Sequence, residues 1–86
     1  MRKRAKVDRN QEAIVEALRF RGWLVLSLAP LGDGVPDLLL WHCGRGIMRL
    51  VEVKVPTGKL TKDQAGFALA GWPFQVVRSV EQALQL

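Results

Sequence analysis

Two carboxylates and a lysine stand where a β-hairpin would bring them together. Glu52 and Lys54 are two residues apart in the β-prone segment 47–55, so both side chains project from one face of a strand, and three valines project from the other. Asp37 begins the preceding β-prone segment, 37–42, and the connection 43–46 contains two glycines and has hairpin length. A four-residue loop places Asp37 opposite Glu52, whereas a five-residue loop would place Asp37 across from the core face.

An opposed pair of carboxylates has a specific chemistry. Facing side chains in a hairpin have Cβ atoms roughly 4.5–5.5 Å apart, so two carboxylates there repel unless they share a proton or a divalent cation. The oxygens of Asp37 and Glu52 and the carbonyl of Val53 form a partial oxygen shell suited to Mg²⁺ or Mn²⁺. Such a cation activates water and neutralises a phosphate, while Lys54 stabilises developing negative charge or positions the water. This set of residues predicts hydrolysis of a nucleic-acid backbone.

The charge of the chain agrees with a polyanionic substrate. Thirteen Lys and Arg against eight Asp and Glu give a net charge of +5. We predict that a basic arm, residues 1–7, contacts nucleic acid through Arg2, Lys3, Arg4 and Lys6. The same charges would also suit a solubilising tail. Lys59 and Lys62 are interpreted as phosphate contacts that flank the site, or as an exposed helix start.

Length and composition indicate one globular domain over residues 8–86. The 86 residues are 49% hydrophobic and 24% charged, which argues against disorder. The single cysteine, Cys43, excludes an internal disulfide and suits a reducing cytosol. No apolar run approaches the roughly 20 residues that a membrane span needs. We therefore expect no membrane association and a cytoplasmic protein, of a bacterium or of a phage-infected host cell.

The predicted elements alternate in the order α-β-β-β-α-β-α. Helices are expected at 8–21, 61–70 and 79–86, and strands at 23–28, 37–42, 47–55 and 74–77. Short turns make the first three strands antiparallel, and the helix before the fourth permits parallel pairing. Thr61 and Gln64 form a capping box at the second helix, and the three tryptophans are expected mainly in the core. The fold class is thus α/β, a mixed four-stranded sheet flanked by helices.

Three stretches carry a family resemblance. Val35-Pro36-Asp37, Glu52-Val53-Lys54 and residues 58–64 (GKLTKDQ) resemble the PD-(D/E)xK nuclease motif as it occurs in VRR-NUC domains, over essentially the whole chain. The resemblance implies a restriction-endonuclease-like core and a metal-dependent DNA nuclease. Asp37 and Glu52 would be metal ligands, Lys54 would be catalytic and Gln64 would line the site. Related resolvases often carry a glutamate in the first helix; here Gln11 stands at that position with Glu12 beside it, so both are possible site-lining residues.

The resemblance also implies a substrate and an assembly. Stand-alone VRR-NUC domains are similar to Holliday-junction resolvases, which act as homodimers on branched or four-way-junction DNA. A symmetric pair also suits a chain this small, since two copies double the basic surface and supply two cuts. Two alternatives remain: a nicking or restriction-like nuclease with another DNA preference, or a DNA-binding module that does not cleave. The domain would then belong to a larger assembly with a partner helicase or replication protein.

Overall fold

Three α-helices and four β-strands alternate along residues 9–86, the part of the chain that this computed structural model describes. Their order is the predicted one, with a short 3₁₀ turn at Ala29–Leu31. The elements are α1 (Arg9–Phe20), β1 (Trp23–Ser27), β2 (Leu38–His42), β3 (Ile47–Val53), α2 (Lys62–Leu69), β4 (Gln75–Val77) and α3 (Val80–Leu84). The basic arm at 1–7 and the predicted helix start at Asp8 lie outside the described residues. Within residues 9–86, no helix has the length and apolar character to cross a membrane.

The strands form one mixed sheet in the order β1-β2-β3-β4. β1 pairs with β2 and β2 with β3 in antiparallel fashion, whereas β3 and β4 are parallel. In the β2–β3 hairpin His42 faces Ile47 and Leu38 faces Val51, so the connecting loop has four residues. Both the predicted sheet and the predicted loop length are confirmed.

The core lies on one face of the sheet, beneath α1 and α3. Ile14 and Leu18 come from α1 at helical spacing, and Ala83 comes from α3. They pack on the sheet's buried side chains: Trp23, Leu38, Leu40, Val51, Val53 and Val77. Of the three tryptophans only Trp23 belongs to this core. Trp41 and Trp72 are 36% and 56% exposed, so the expectation of mainly buried tryptophans was wrong for two of them.

β3 ends at Val53, two residues earlier than predicted. The Lys54 amide still donates to the Val77 carbonyl (3.1 Å), but the chain then turns, with the Gly58 amide donating to the Val55 carbonyl (2.9 Å). The carbonyls after β3 instead accept hydrogen bonds from side chains that are distant in sequence. Asn10 donates to the carbonyl of Lys54 (3.0 Å), and the Arg78 guanidinium donates to those of Val55, Pro56 and Gly58.

The connection between β1 and β2 packs directly against the start of α2. Gly34 has φ +79°, and a Cβ placed on it would collide with the Asp63 carbonyl. This close approach fixes the Pro36-Asp37 segment relative to α2.

We expect Gly34→Ala to destabilise the fold more than Gly46→Ala. Both glycines have positive φ, which costs an alanine roughly 1–2 kcal/mol. A Cβ on Gly46 would meet no atom within 4 Å, whereas Gly34→Ala adds a backbone clash worth about 1–3 kcal/mol. Urea unfolding of the two variants measures the difference. Equal losses in the free energy of unfolding would contradict this close packing.

Candidate active site

Asp37 is held against the end of β3 by the backbone. It directly precedes β2. Leu38 pairs with Val51, so the next position in the same register places Asp37 opposite Glu52. Its Oδ2 accepts a hydrogen bond from the Val53 amide (2.9 Å), and its carbonyl accepts one from the Leu28 amide (2.7 Å). The preceding Pro36 is fully buried. Sheet register and backbone hydrogen bonds thus bring Asp37 beside Glu52, as predicted.

Glu52 is a buried carboxylate with one unsatisfied oxygen. Its residue is 2% exposed, the only charged residue of the described chain that is buried. Its Oε2 accepts a hydrogen bond from Gln64 Nε2 (2.7 Å) and lies 3.6 Å from Lys54 Nζ, whereas Oε1 is buried and has no hydrogen-bond partner among residues 9–86. Burial, and secondarily the charge of Asp37, raises the pKa of Glu52 to about 7, against an opposing effect of Lys54. A cation at Oε1 would relieve both the orphaned oxygen and the repulsion.

Lys54 lies at the mouth of this pair. Its side chain is 16% exposed, and its ammonium lies on the same side of β3 as Glu52. The backbone at Lys54 is fixed on both sides, by the Val77 carbonyl and by the Asn10 amide. Asn10 also donates to the Arg78 carbonyl (3.2 Å), so one side chain ties α1 to the ends of both β3 and β4. Sequence reasoning missed Asn10 and Arg78, because an asparagine near a helix start and an arginine after a strand carry no signal of contacts so distant along the chain.

Gln64 caps α2 and contacts Glu52 at the same time. Its Oε1 accepts from the Thr61 amide (2.9 Å) while Thr61 Oγ1 accepts from the Gln64 amide (3.2 Å), which confirms the predicted capping box. Its Nε2 donates to Glu52. The capping contact and the contact with Glu52 coexist because they use opposite ends of the Gln64 amide.

The other predicted residues are distributed around this centre. Gln11 lines a cleft of about 260 Å³ together with Asp37 and Gln64. Glu12 does not line that cleft; one position further around α1, it borders a surface depression with Glu16 and Arg19. Lys59 is exposed on the segment that leads into α2, and Lys62 is exposed at the first position of α2. Arg2, Lys3, Arg4 and Lys6 lie outside the described residues. Among residues 9–86, no three His, Cys, Asp or Glu side chains cluster as a metal site, so Asp37 and Glu52 stand as a pair.

Comparison with known proteins decides the family. The VRR-NUC domain model matches residues 3–80. The chain belongs to the VRR-NUC family. A solved structure described as a VRR_NUC domain is similar to it, with 33% sequence identity, a TM-score of 0.66 and coverage of 91% of this chain and 89% of that one. No curated protein matches the sequence. The resemblance noted from the motifs is confirmed, and so is a fold consistent with VRR-NUC nucleases.

In this VRR-NUC domain, the two functions of Gln64 can be separated by substitution. Thr61→Ala removes the hydrogen bond from the Gln64 backbone amide to Thr61 Oγ1, which costs about 1 kcal/mol of stability, and leaves the Gln64–Glu52 hydrogen bond in place. Gln64→Ala removes the bond to Glu52 and the reciprocal bond from the Thr61 amide, but keeps the bond to Thr61 Oγ1. Hydrogen bonds to charged groups contribute about 1.5–3 kcal/mol, so we expect nuclease activity to fall roughly tenfold or more in Gln64→Ala and little in Thr61→Ala. The cleavage rate and the free energy of unfolding are measured for both variants. If the two variants lose activity equally for the same loss of stability, the contact of Gln64 with Glu52 has no role in activity.

Proposed function

We propose that this VRR-NUC domain is a metal-dependent DNA endonuclease that hydrolyses phosphodiester bonds. One observation carries the proposal: a buried glutamate with an unpartnered oxygen lies beside a second carboxylate at the end of the sheet. A purely structural role would leave that oxygen hydrogen-bonded, because an unsatisfied buried acceptor costs about 1–3 kcal/mol. A cation site explains why the arrangement is tolerated.

The donor set suits a hard divalent cation. Asp37, Glu52 and the Val53 carbonyl would hold Mg²⁺ or Mn²⁺ through oxygen atoms, with solvent and substrate phosphate completing the shell. When bound, the cation would supply charge neutralisation and water activation. One carboxylate oxygen of Asp37 accepts the hydrogen bond from the Val53 amide, so the other oxygen would bind the cation.

The neighbouring side chains support hydrolysis in other ways. Lys54 presents an ammonium at the mouth of the site, where it stabilises negative charge on the phosphate or positions the attacking water. Gln64 orients the Glu52 carboxylate by its hydrogen bond to Oε2. Lys59 and Lys62 flank the approach and would contact phosphates on either side.

For the substrate we propose branched or four-way-junction DNA, cut by a homodimer. The net charge of +5 favours a polyanion, and one copy of an 86-residue chain offers a small footprint for a junction. The unpaired, exposed Cys43 supports a reducing compartment, which we take to be the cytoplasm of a bacterium or of a phage-infected cell. The nuclease domain would extend over 8–86, preceded by the arm at 1–7.

A cleavage panel tests the activity and ranks the substrates. Labelled four-way junction, flap, single-stranded and linear duplex DNA are incubated with Mn²⁺, Mg²⁺ or EDTA, with Asp37→Asn as the matched variant. We expect cleavage that requires metal, favours the junction and is lost in Asp37→Asn. Preference for linear duplex would indicate a nicking or restriction-like enzyme instead. DNA binding in EDTA with no cleavage of any substrate would favour a binding module, or a need for a partner helicase or replication protein.

The basic arm has its own test. Deletion of residues 1–6 removes Arg2, Lys3, Arg4 and Lys6, and the slope of log affinity against log salt should become shallower by about 0.9 for each phosphate that the protein no longer neutralises. Replacement of the four cations by glutamine should reproduce the effect at unchanged length. An unchanged slope in either variant would mean that the arm serves solubility.

A further inference from the structure

The face of the sheet opposite the core is apolar and largely uncovered. Alternation along β1, β2 and β3 places Glu52 on it at the active-site end and, beyond Glu52, six uncharged side chains: Leu24, Leu26, Leu39, Trp41, Met48 and Leu50. Leu24, Leu26 and Met48 are 61%, 59% and 58% exposed. The water-exposed face of an antiparallel sheet normally carries polar side chains, so an apolar exposed face indicates a contact surface.

The apolar face, defined by those six residues, continues into a groove. Leu39, Met48, Arg49 and Leu50 form one wall of a depression of about 660 Å³, and the segment 72–75 after α2 forms the other. Phe67 stacks on Trp72 (5.3 Å between centroids) and meets Phe74 edge-on (6.0 Å), which holds the second wall in place. Trp72 extends the exposed apolar surface beyond the strands.

The size of this surface matches an interface core. Leu24, Leu26, Trp41, Met48 and Trp72 each leave roughly 100 Å² exposed, given their exposed fractions and the 150–250 Å² of a large side chain, so together they expose about 500 Å². That lies in the upper part of the range of about 300–600 Å² for the largest patch on a monomer. A standard interface buries about 800 Å² on each partner, of which the rim is polar.

We propose that the apolar face is the surface through which two copies of this chain pair. This inference rests on the homodimer of the proposed function and assigns the contact surface. The six residues include no cation, and Arg49 is the one cation that lines the groove beside them, so a second copy of this face matches it in polarity and area better than DNA phosphates do. A two-fold pair buries the same residues on both copies and removes them from water.

The pairing also relates the interface to the active site. Glu52 follows Leu50 by two residues, so its side chain lies on the same side of the sheet as the apolar face. Two paired faces therefore place both clefts at the rim of one interface. Such a pair could present two sites to the strands of one junction.

Sedimentation equilibrium without DNA or metal tests the interface. We expect the wild-type chain to approach twice 9.6 kDa as its concentration rises. Met48→Lys and Leu24→Lys should raise the dimer dissociation constant at least tenfold, because each places charges in the apolar contact. Both positions are exposed in the monomer, so its fold should persist, as circular dichroism can verify. Phe20→Lys is the matched control. Phe20 is 86% exposed at the end of α1, on the opposite side of the sheet, so this substitution should leave the dimer dissociation constant unchanged.

Two results would overturn this assignment. One is a monomeric wild-type chain at every concentration, which would leave the apolar face to another partner or segment. The other is a dimer weakened by Phe20→Lys but not by Met48→Lys. Because mass is measured without substrate, the interface and the nuclease activity are tested separately. A monomer that cleaves DNA would contradict the proposed interface but support the proposed nuclease. A dimer that depends on Met48 but never cleaves DNA would support the interface and contradict the nuclease.

Discussion

We expect replacement of Glu52 by glutamine to abolish DNA cleavage while it makes the metal-free protein more stable. Cleavage should be lost because the proposed cation site loses a charge; metal assistance contributes several kcal/mol to a transition state, so we expect a loss of roughly a thousandfold. The introduced glutamine keeps an amide oxygen that accepts from Gln64, so the local packing survives. DNA binding in EDTA should be kept or strengthened, since one negative charge near the phosphates is gone.

The stability gain depends on pH in a defined direction. The pKa of Glu52 is raised by burial from 4.5 in the unfolded chain to about 7 in the fold. Its contribution to stability is therefore fully present below pH 4.5 and is lost as pH rises to about 7, a change of about 3 kcal/mol. Glu52→Gln removes this loss, so the variant gains more over wild type at pH 8 than at pH 5.

Urea unfolding of both proteins in EDTA at pH 5 and pH 8 measures this difference. Cleavage and DNA binding are measured on the same preparations, with Glu12→Gln as the control for loss of an exposed carboxylate outside the cleft. An equal gain at both pH values would mean that Glu52 is not a strained carboxylate. Joint loss of binding and cleavage would contradict its role as a ligand.

We expect Lys54→Met to lower the cleavage rate about 10²–10³-fold and to leave the proposed cation bound. Methionine keeps most of the apolar stem and removes the ammonium, which lies 3.6 Å from Glu52 Oε2. A loss of that size is typical when a preorganised donor to developing charge is deleted. Without the ammonium, the pKa of Glu52 should rise further, because Lys54 is the group that lowers it.

Single-turnover cleavage at saturating enzyme isolates this effect from DNA binding. Lys59→Met and Lys62→Met serve as controls, since these exposed lysines should change the salt dependence of affinity more than the rate. A Lys54→Met rate within threefold of wild type would remove Lys54 from the mechanism. Loss of Mn²⁺ binding in the same variant would make its role structural.

Local sequence signals were enough to predict the geometry that joins the two carboxylates. The two glycines between β2 and β3 predicted a connection of hairpin length at 43–46, and of the two loop lengths considered, the observed four residues give the register that places Asp37 beside Glu52. The capping box at Thr61 likewise depends only on residues three apart. Signals of this kind are short-range, so they can be derived from the chain itself.

The burial of Glu52 was not predictable in the same way. Alternation along β3 indicated a strand face shared with Lys54, yet the residue is almost fully enclosed because α2 and the segment before β2 cover it. The early end of β3 depends on Asn10 and Arg78, which lie far from it in sequence. Trp41 is 36% exposed because α2 covers the Glu52 end of that sheet face and no described element packs over Trp41 itself. Each of these features depends on tertiary contacts, which local patterns do not encode.

Mn²⁺ binding to the wild-type chain and to Glu52→Gln, measured by calorimetry at pH 7.5 without DNA, tests most directly whether the buried Asp37–Glu52 pair is a cation site. We predict that the wild-type chain binds Mn²⁺ with release of protons from Glu52 and that Mn²⁺ stabilises it against unfolding, while the variant shows neither effect. Equal Mn²⁺ binding by both proteins, or none by the wild type, would contradict a cation site at this pair.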